Sequence, residues 1–160
     1  MEAQKKFTGE LIDLLINIPI FDGLDSTELQ ITAQYMNIVK APRGEVLFRE
    51  GDKGDYVCFV AEGVLDIIKT SESGKHVTLS SLNKGRSIGE MAILDNFPRS
   101  ASVRARGDST LITLSRDGFN KILDDHPRIG IKILKGLARL LSLSLRKTSS
   151  RLADYMLPLS

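Results

Sequence analysis

Residues 89–101, Gly-Glu-Met-Ala-Ile-Leu-Asp-Asn-Phe-Pro-Arg-Ser-Ala, gather the residue types of this chain that could do chemistry together. Glu90 offers a carboxylate acceptor of the kind a sugar hydroxyl needs. Arg99 offers a planar fork of donors whose shape and charge suit a phosphodiester. Gly89, Met91 and Ala92 fit the start of a short helical turn, where the backbone N–H groups of Met91 to Ile93 would lack partners and draw an anion. The combination describes a pocket for a ligand with one phosphate and one diol-like hydroxyl. A Glu and an Arg at this separation also fit a surface ion pair, with Gly89 and Pro98 as turn punctuation. The pair alone does not decide between the two.

Other chemistries find little support. The single cysteine, Cys58, excludes an intramolecular disulfide and a cysteine-held iron–sulfur cluster. It lies in the apolar run Tyr56-Val57-Cys58-Phe59-Val60 and is expected to be a buried small hydrophobe. The two histidines, His76 and His126, form no His-x-His pair, so neither a metal-dependent enzyme on a β scaffold nor a haem site is expected. No catalytic residue is assigned, and the chain is read as a non-enzyme. A net charge of +2 is too small for a general polyanion binder. The basic residues Arg128, Lys132, Lys135, Arg139, Arg146, Lys147 and Arg151 read as the solvated face of an amphipathic helix, with no DNA contact expected. The first apolar stretch is broken by Asp13, Asn17 and Pro19 and is too short to span a bilayer, so no membrane contact and a cytoplasmic location are expected.

The elements that must position residues 89–101 fall into three zones, and 160 residues suit one domain, numbered 1–160. Residues 7–37 read as N-terminal helices. Leu11, Leu14, Leu15 and Ile18 recur at helical spacing until Pro19, and Asp25-Ser26-Thr27-Glu28 starts a second helix with apolar positions Leu29, Ile31, Ala33 and Met36. Residues 44–115 read as a β-roll, with short strands at 45–49, 56–61, 64–69, 77–82, 101–106 and 110–115 separated by Gly-, Asn- and Asp-rich turns. That series predicts a mainly β fold, a jelly roll with N-terminal helices and a long C-terminal helix. Residues 117–156 supply the C-terminal helices. The first ends at His126, and the second starts from Pro127 with a stripe of Ile129, Ile133, Leu137, Leu140, Leu141, Ser144, Leu145, Leu152 and Met156.

Several motifs occur in a fixed order: Pro42-Arg43-Gly44-Glu45-Val46-Leu47, Glu50-Gly51-Asp52, Asp55, Phe59, Val60, Gly63, Gly85 and then residues 89–101. Together they resemble the cyclic-nucleotide-binding domain family, the modules of catabolite activator protein and of protein kinase A regulatory subunits. Residues 89–101 look like its phosphate-binding cassette, of the form Gly-Glu, helical turn, Pro-Arg-Ser/Thr/Ala-Ala. The resemblance implies a ligand site of Gly89, Glu90, Met91, Ala92, Arg99, Ser100, Ala101 and Ser144. Glu90 would accept the ribose 2′-OH, and Arg99 would neutralise the cyclic phosphate. The Ser100 hydroxyl and amides near Ala92 and Ala101 would complete the cradle, and Ser144 would meet the adenine amino group. Ser100 implies cAMP, with cGMP second, because Thr at that position is associated with guanine. The nucleotide is a ligand, and no cofactor is expected. Ile88 replaces the usual Phe, Arg86 a common acid and Cys58 a common aromatic, which bears on pocket shape.

Four residues follow Met156, so the expectation is a stand-alone module without a DNA-binding domain. It would pass ligand occupancy through its C-terminal helix to a separate, unidentified protein. The alternative is an interaction or dimerisation module with a vestigial pocket. The stripe Ile133, Leu137, Leu141, Leu145 and Leu152 suggests a parallel homodimer, although its first half fits equally well against the β-roll.

Overall fold

The computed structural model describes residues 2–157, with side chains from residue 9 onward. Helix α1 (Glu2–Leu15) buries Leu11 and Leu15 and is followed by a 3-10 turn, Pro19–Phe21. Asp25 caps α2 (Ser26–Ala33). Its carboxylate accepts the Glu28 amide at 2.9 Å while the Glu28 carboxylate accepts the Asp25 amide at 3.1 Å, so two orphan donors are satisfied at once. Eight strands follow among the described residues: β1 (Met36–Ala41), β2 (Val46–Phe48), β3 (Tyr56–Glu62), β4 (Leu65–Thr70), β5 (His76–Leu82), β6 (Ser87–Ile88), β7 (Ser102–Ala105) and β8 (Ser109–Ser115). They form two antiparallel four-stranded sheets in the orders β1-β8-β3-β6 and β2-β7-β4-β5. Apart from the β4–β5 hairpin, paired strands are distant in sequence, the arrangement of the expected jelly roll. Helices α3 (Arg116–Asp125) and α4 (Pro127–Met156) complete the chain.

The run at 56–61 lacks alternation because both faces of β3 are covered. Cys58 and Val60 point into the roll with Leu65, Val103 and Leu111. Val57, Phe59 and Ala61 point out into a second core with Leu11, Leu15, Phe21, Phe119, Ile122 and Ile133. Phe21 meets Phe59 edge-on at 5.2 Å between ring centroids, tying the N-terminal turn to the sheet. Burial makes Cys58 the small hydrophobe the sequence suggests, with its thiol pushed up to about 12.

Three boundaries differ from expectation. Met36 and Asn37 belong to a strand and not to the second helix: α2 stops at Ala33, and 36–41 pairs residue for residue with 109–114 of β8. Polar Asn37 and Lys40 disguise this strand in the sequence, because its outer face is partly solvated while Met36 and Ala41 are buried. The roll therefore begins at Met36, ahead of residue 44. Strand β6, two residues long, was too short to give a pattern, and α1 begins at Glu2, ahead of Phe7.

Helix α4 has two unlike halves. Pro127 occupies its first turn, and Ile129, Ile133 and Leu137 are buried one turn apart against the outer core. Gly130 and Gly136 lie on the same side, and a Cβ on Gly136 would overlap the Ile20 carbonyl oxygen. Beyond Leu141 the apolar residues are uncovered: Leu145 is 67% exposed and Leu152 59%. The first half of the stripe thus folds back on the body, and the second half projects. Because the Ile20 backbone cannot move aside like a side-chain end, Gly136→Ala is expected to destabilise the fold by about 1–3 kcal/mol, read as a lower midpoint in urea unfolding.

Candidate ligand-binding site

Residues 89–101 leave the roll after β6 and return to it at β7, so the sheet fixes both ends of the segment. Gly89 opens it at φ 79, in the left-handed region, and its missing side chain leaves room for Nη1 of Arg99. The following Glu90–Ile93 is a single 3-10 turn. In that turn the Ala92 amide donates to the Gly89 carbonyl at 3.0 Å, so this amide is taken up within the turn instead of standing unpaired.

Arg99 is held by backbone on either side. Its amide donates to the Asp52 carbonyl and its carbonyl accepts from the Gly51 amide, both at 2.8 Å. The side chain is 6% exposed, with its guanidinium carbon 4.0 Å from the Phe48 ring centroid and 4.8 Å from that of Tyr56. Nη2 donates to the Tyr56 carbonyl at 2.8 Å, whereas the buried Nε and Nη1 have no hydrogen-bond partner. Burial lowers the pKa of this group from its ordinary value. A desolvated cation with two unmatched donors is an expensive arrangement until an anion meets it.

Arg99 lines a cavity of about 660 Å³ that also holds Gly89, Met91, Ala92, Ser100 and Ala101. Its other walls are largely apolar, from Phe48, Ile67, Leu79 and Ile88. Six of the eight residues expected at the site are therefore brought together. Glu90 and Ser144 are placed elsewhere: both line a second cavity, of about 250 Å³, beneath α4. Successive residues of a 3-10 turn point about 120° apart, which sends Glu90 to a different side from Met91 and Ala92. There the Ser87 hydroxyl donates to Glu90 Oε1 at 2.5 Å.

Arg116 was missed by sequence reasoning. It is the first residue of α3, and its guanidinium donates to the Ala92 carbonyl from Nε at 3.0 Å. Its Nη2 donates to the carbonyls of Gly54 at 2.8 Å and Asp95 at 2.5 Å. One side chain thus ties the C-terminal end of the turn and the segment after it to the loop at Gly54. The available signal was a cation in the first turn of a helix, where the dipole favours acids and where a cation needs local acceptors.

The sequence model of the Cyclic nucleotide-binding domain family matches residues 38–126, more than half of the chain and all of the segment around Arg99. The chain belongs to this family. A cyclic nucleotide-binding domain from Methylobacillus flagellatus has a similar structure, with a TM-score of 0.80 and 31% identity over 94% of this chain and 84% of that one. A CRP-like cAMP-activated global transcriptional regulator of Mycobacterium tuberculosis is 28% identical over 90% of this chain and 62% of its own length. A cAMP-dependent protein kinase regulatory subunit of Blastocladiella emersonii is 36% identical over 67% of this chain and 27% of its own. The chain thus spans less than two thirds of the curated relatives it matches. It is a cyclic nucleotide-binding module of the kind found in CRP-like regulators and kinase regulatory subunits. Ser144 lies beyond the matched residues, as does all of α4.

A buried cation with two unmatched donors costs the ligand-free domain stability. Arg99→Met keeps much of the packing between Phe48 and Tyr56 and removes the charge. It is expected to raise the unfolding free energy of the ligand-free domain by about 1 kcal/mol or more, measured by urea denaturation.

Proposed function

We propose that this domain is a cAMP receptor whose occupancy is read out through its C-terminal helix. One observation carries the proposal: Arg99 is buried in the larger cavity with two donors unmatched, which is where the single charge of a cyclic phosphate would be placed. Arg99 takes the phosphate, with the Ser100 hydroxyl and the backbone at Ala92 and Ala101 beside it. Ile67, Leu79 and Ile88 supply apolar surface for a purine. Glu90 accepts the ribose 2′-OH after turning from its present position, and Ser144 meets the adenine amino group as α4 closes. Ser100 favours cAMP, with cGMP as the weaker ligand.

The domain carries out no reaction in this reading. The CRP-like relative and the kinase regulatory subunit are regulators, and the nucleotide is a signal that needs no further cofactor. Transmission runs from the turn through Arg116 into α3 and so into α4, a shift between populations that the ligand binds unequally. The exposed half of α4, with Leu145 and Leu152, fits a parallel pairing with a second copy, and the signal then passes to a separate protein. The location is cytoplasmic; among the described residues no helix is long and apolar enough to cross a membrane.

Isothermal titration of nucleotide-stripped protein with cAMP and cGMP tests the receptor reading. Binding of cAMP at micromolar or lower concentration is expected, weakened about 100-fold in Arg99→Ala through loss of charge-assisted hydrogen bonds. Unchanged affinity in that variant, or no binding by the parent, overturns the reading and leaves an interaction module with an idle pocket. Sedimentation velocity checks the pairing: a dimer is expected, reduced to a monomer by Leu145→Glu with Leu152→Glu. A monomer at the highest concentrations reached removes that part.

A further inference from the structure

We infer that Ser87 is a positioning residue that holds Glu90 on the α4 side of the domain, so that its hydroxyl and the ribose hydroxyl compete for one carboxylate. The inference rests on the cAMP reading above. Ser87 sits in β6 opposite Phe59 of β3, so the sheet fixes its position. Its Oγ donates to Glu90 Oε1 at 2.5 Å, and among the described residues it is the group that hydrogen-bonds this carboxylate.

The surroundings favour that placement. The cavity under α4 that Glu90 lines is also lined by Arg86, Leu140, Ser144 and Lys147, so two cations border the space its carboxylate faces. Arg99 lines the other cavity, to which Glu90 does not contribute. A nucleotide seated on Arg99 meets Glu90 only when the carboxylate leaves Ser87 and turns out from beneath α4. Binding therefore exchanges one hydrogen bond for another, and the ribose hydroxyl gains only the difference. The same exchange withdraws a negative charge from the cavity that Lys147 of α4 also lines.

The test separates this from any general change in packing, because only a ligand with a 2′-hydroxyl takes part in the exchange. Affinities for cAMP and for 2′-deoxy-cAMP are measured by titration in the parent, Ser87→Ala and Ser87→Thr. In Ser87→Ala, cAMP is expected to bind about 3- to 10-fold more tightly while 2′-deoxy-cAMP is unchanged. Ser87→Thr, which keeps a hydroxyl, is expected to retain the parent's ratio of the two affinities. An unchanged or lowered ratio in Ser87→Ala overturns the inference while the receptor reading stands. Failure of the parent to bind cAMP overturns both. Since the deoxy ligand reports on the same Arg99 pocket, a damaged fold would weaken both ligands and leave the ratio at the parent's value, which also counts against the exchange.

Discussion

The site depends on a guanidinium that the protein buries without fully satisfying. Arg99 is enclosed by two aromatic rings, tied to one carbonyl, and left with two idle donors. Much of the nearby structure follows from keeping it there. Gly89 must lack a side chain, Phe48 must end β2 with its ring over the cation, and the 51–52 loop must pair with the Arg99 backbone. Water would otherwise hydrate this charge, so the apolar rings and the idle donors together make the group receptive to an anion.

A second arginine gives the opposite lesson. Arg116 is spent on carbonyls and has little left to offer a ligand. Two cations of the same type, both close to the turn, are therefore held differently: one keeps two idle donors and the other is spent on backbone carbonyls. Their partners distinguish them, where residue type alone could not. Ser115 caps the same helix by accepting the Gly118 amide, so Arg116 is free of any capping duty and reaches across to the turn.

Much of this was legible in the sequence, for physical reasons that also mark the limits. The six strands at 45–49, 56–61, 64–69, 77–82, 101–106 and 110–115 stood out because glycine and polar turns punctuate apolar runs, and each corresponds to an observed strand. Strand β1 was hidden because half of its outer face is solvated, and β6 because two residues carry no period. Arg99 was legible by type and spacing, while the separation of Glu90 from Arg99 was not. It depends on the pitch of a four-residue turn, which no residue type dictates. The fate of α4 was only half legible. Its stripe resumes at Leu152 after a polar break at Thr148 and Ser149, and the pattern does not tell that packing against the body ends near Leu141.

The close seat of Gly136 on the Ile20 carbonyl has a mechanical consequence. A contact without slack resists sliding, so the helix changes orientation most readily by pivoting where it is anchored. About twenty residues run from Gly136 to Met156, a rigid arm of about 30 Å at the usual helical rise. A tilt of about 10° at the anchor would carry the far end through about 5 Å, the height of one helical turn. A small change of angle at Gly136 is thus magnified along α4, and the exposed leucines stand where the displacement is greatest.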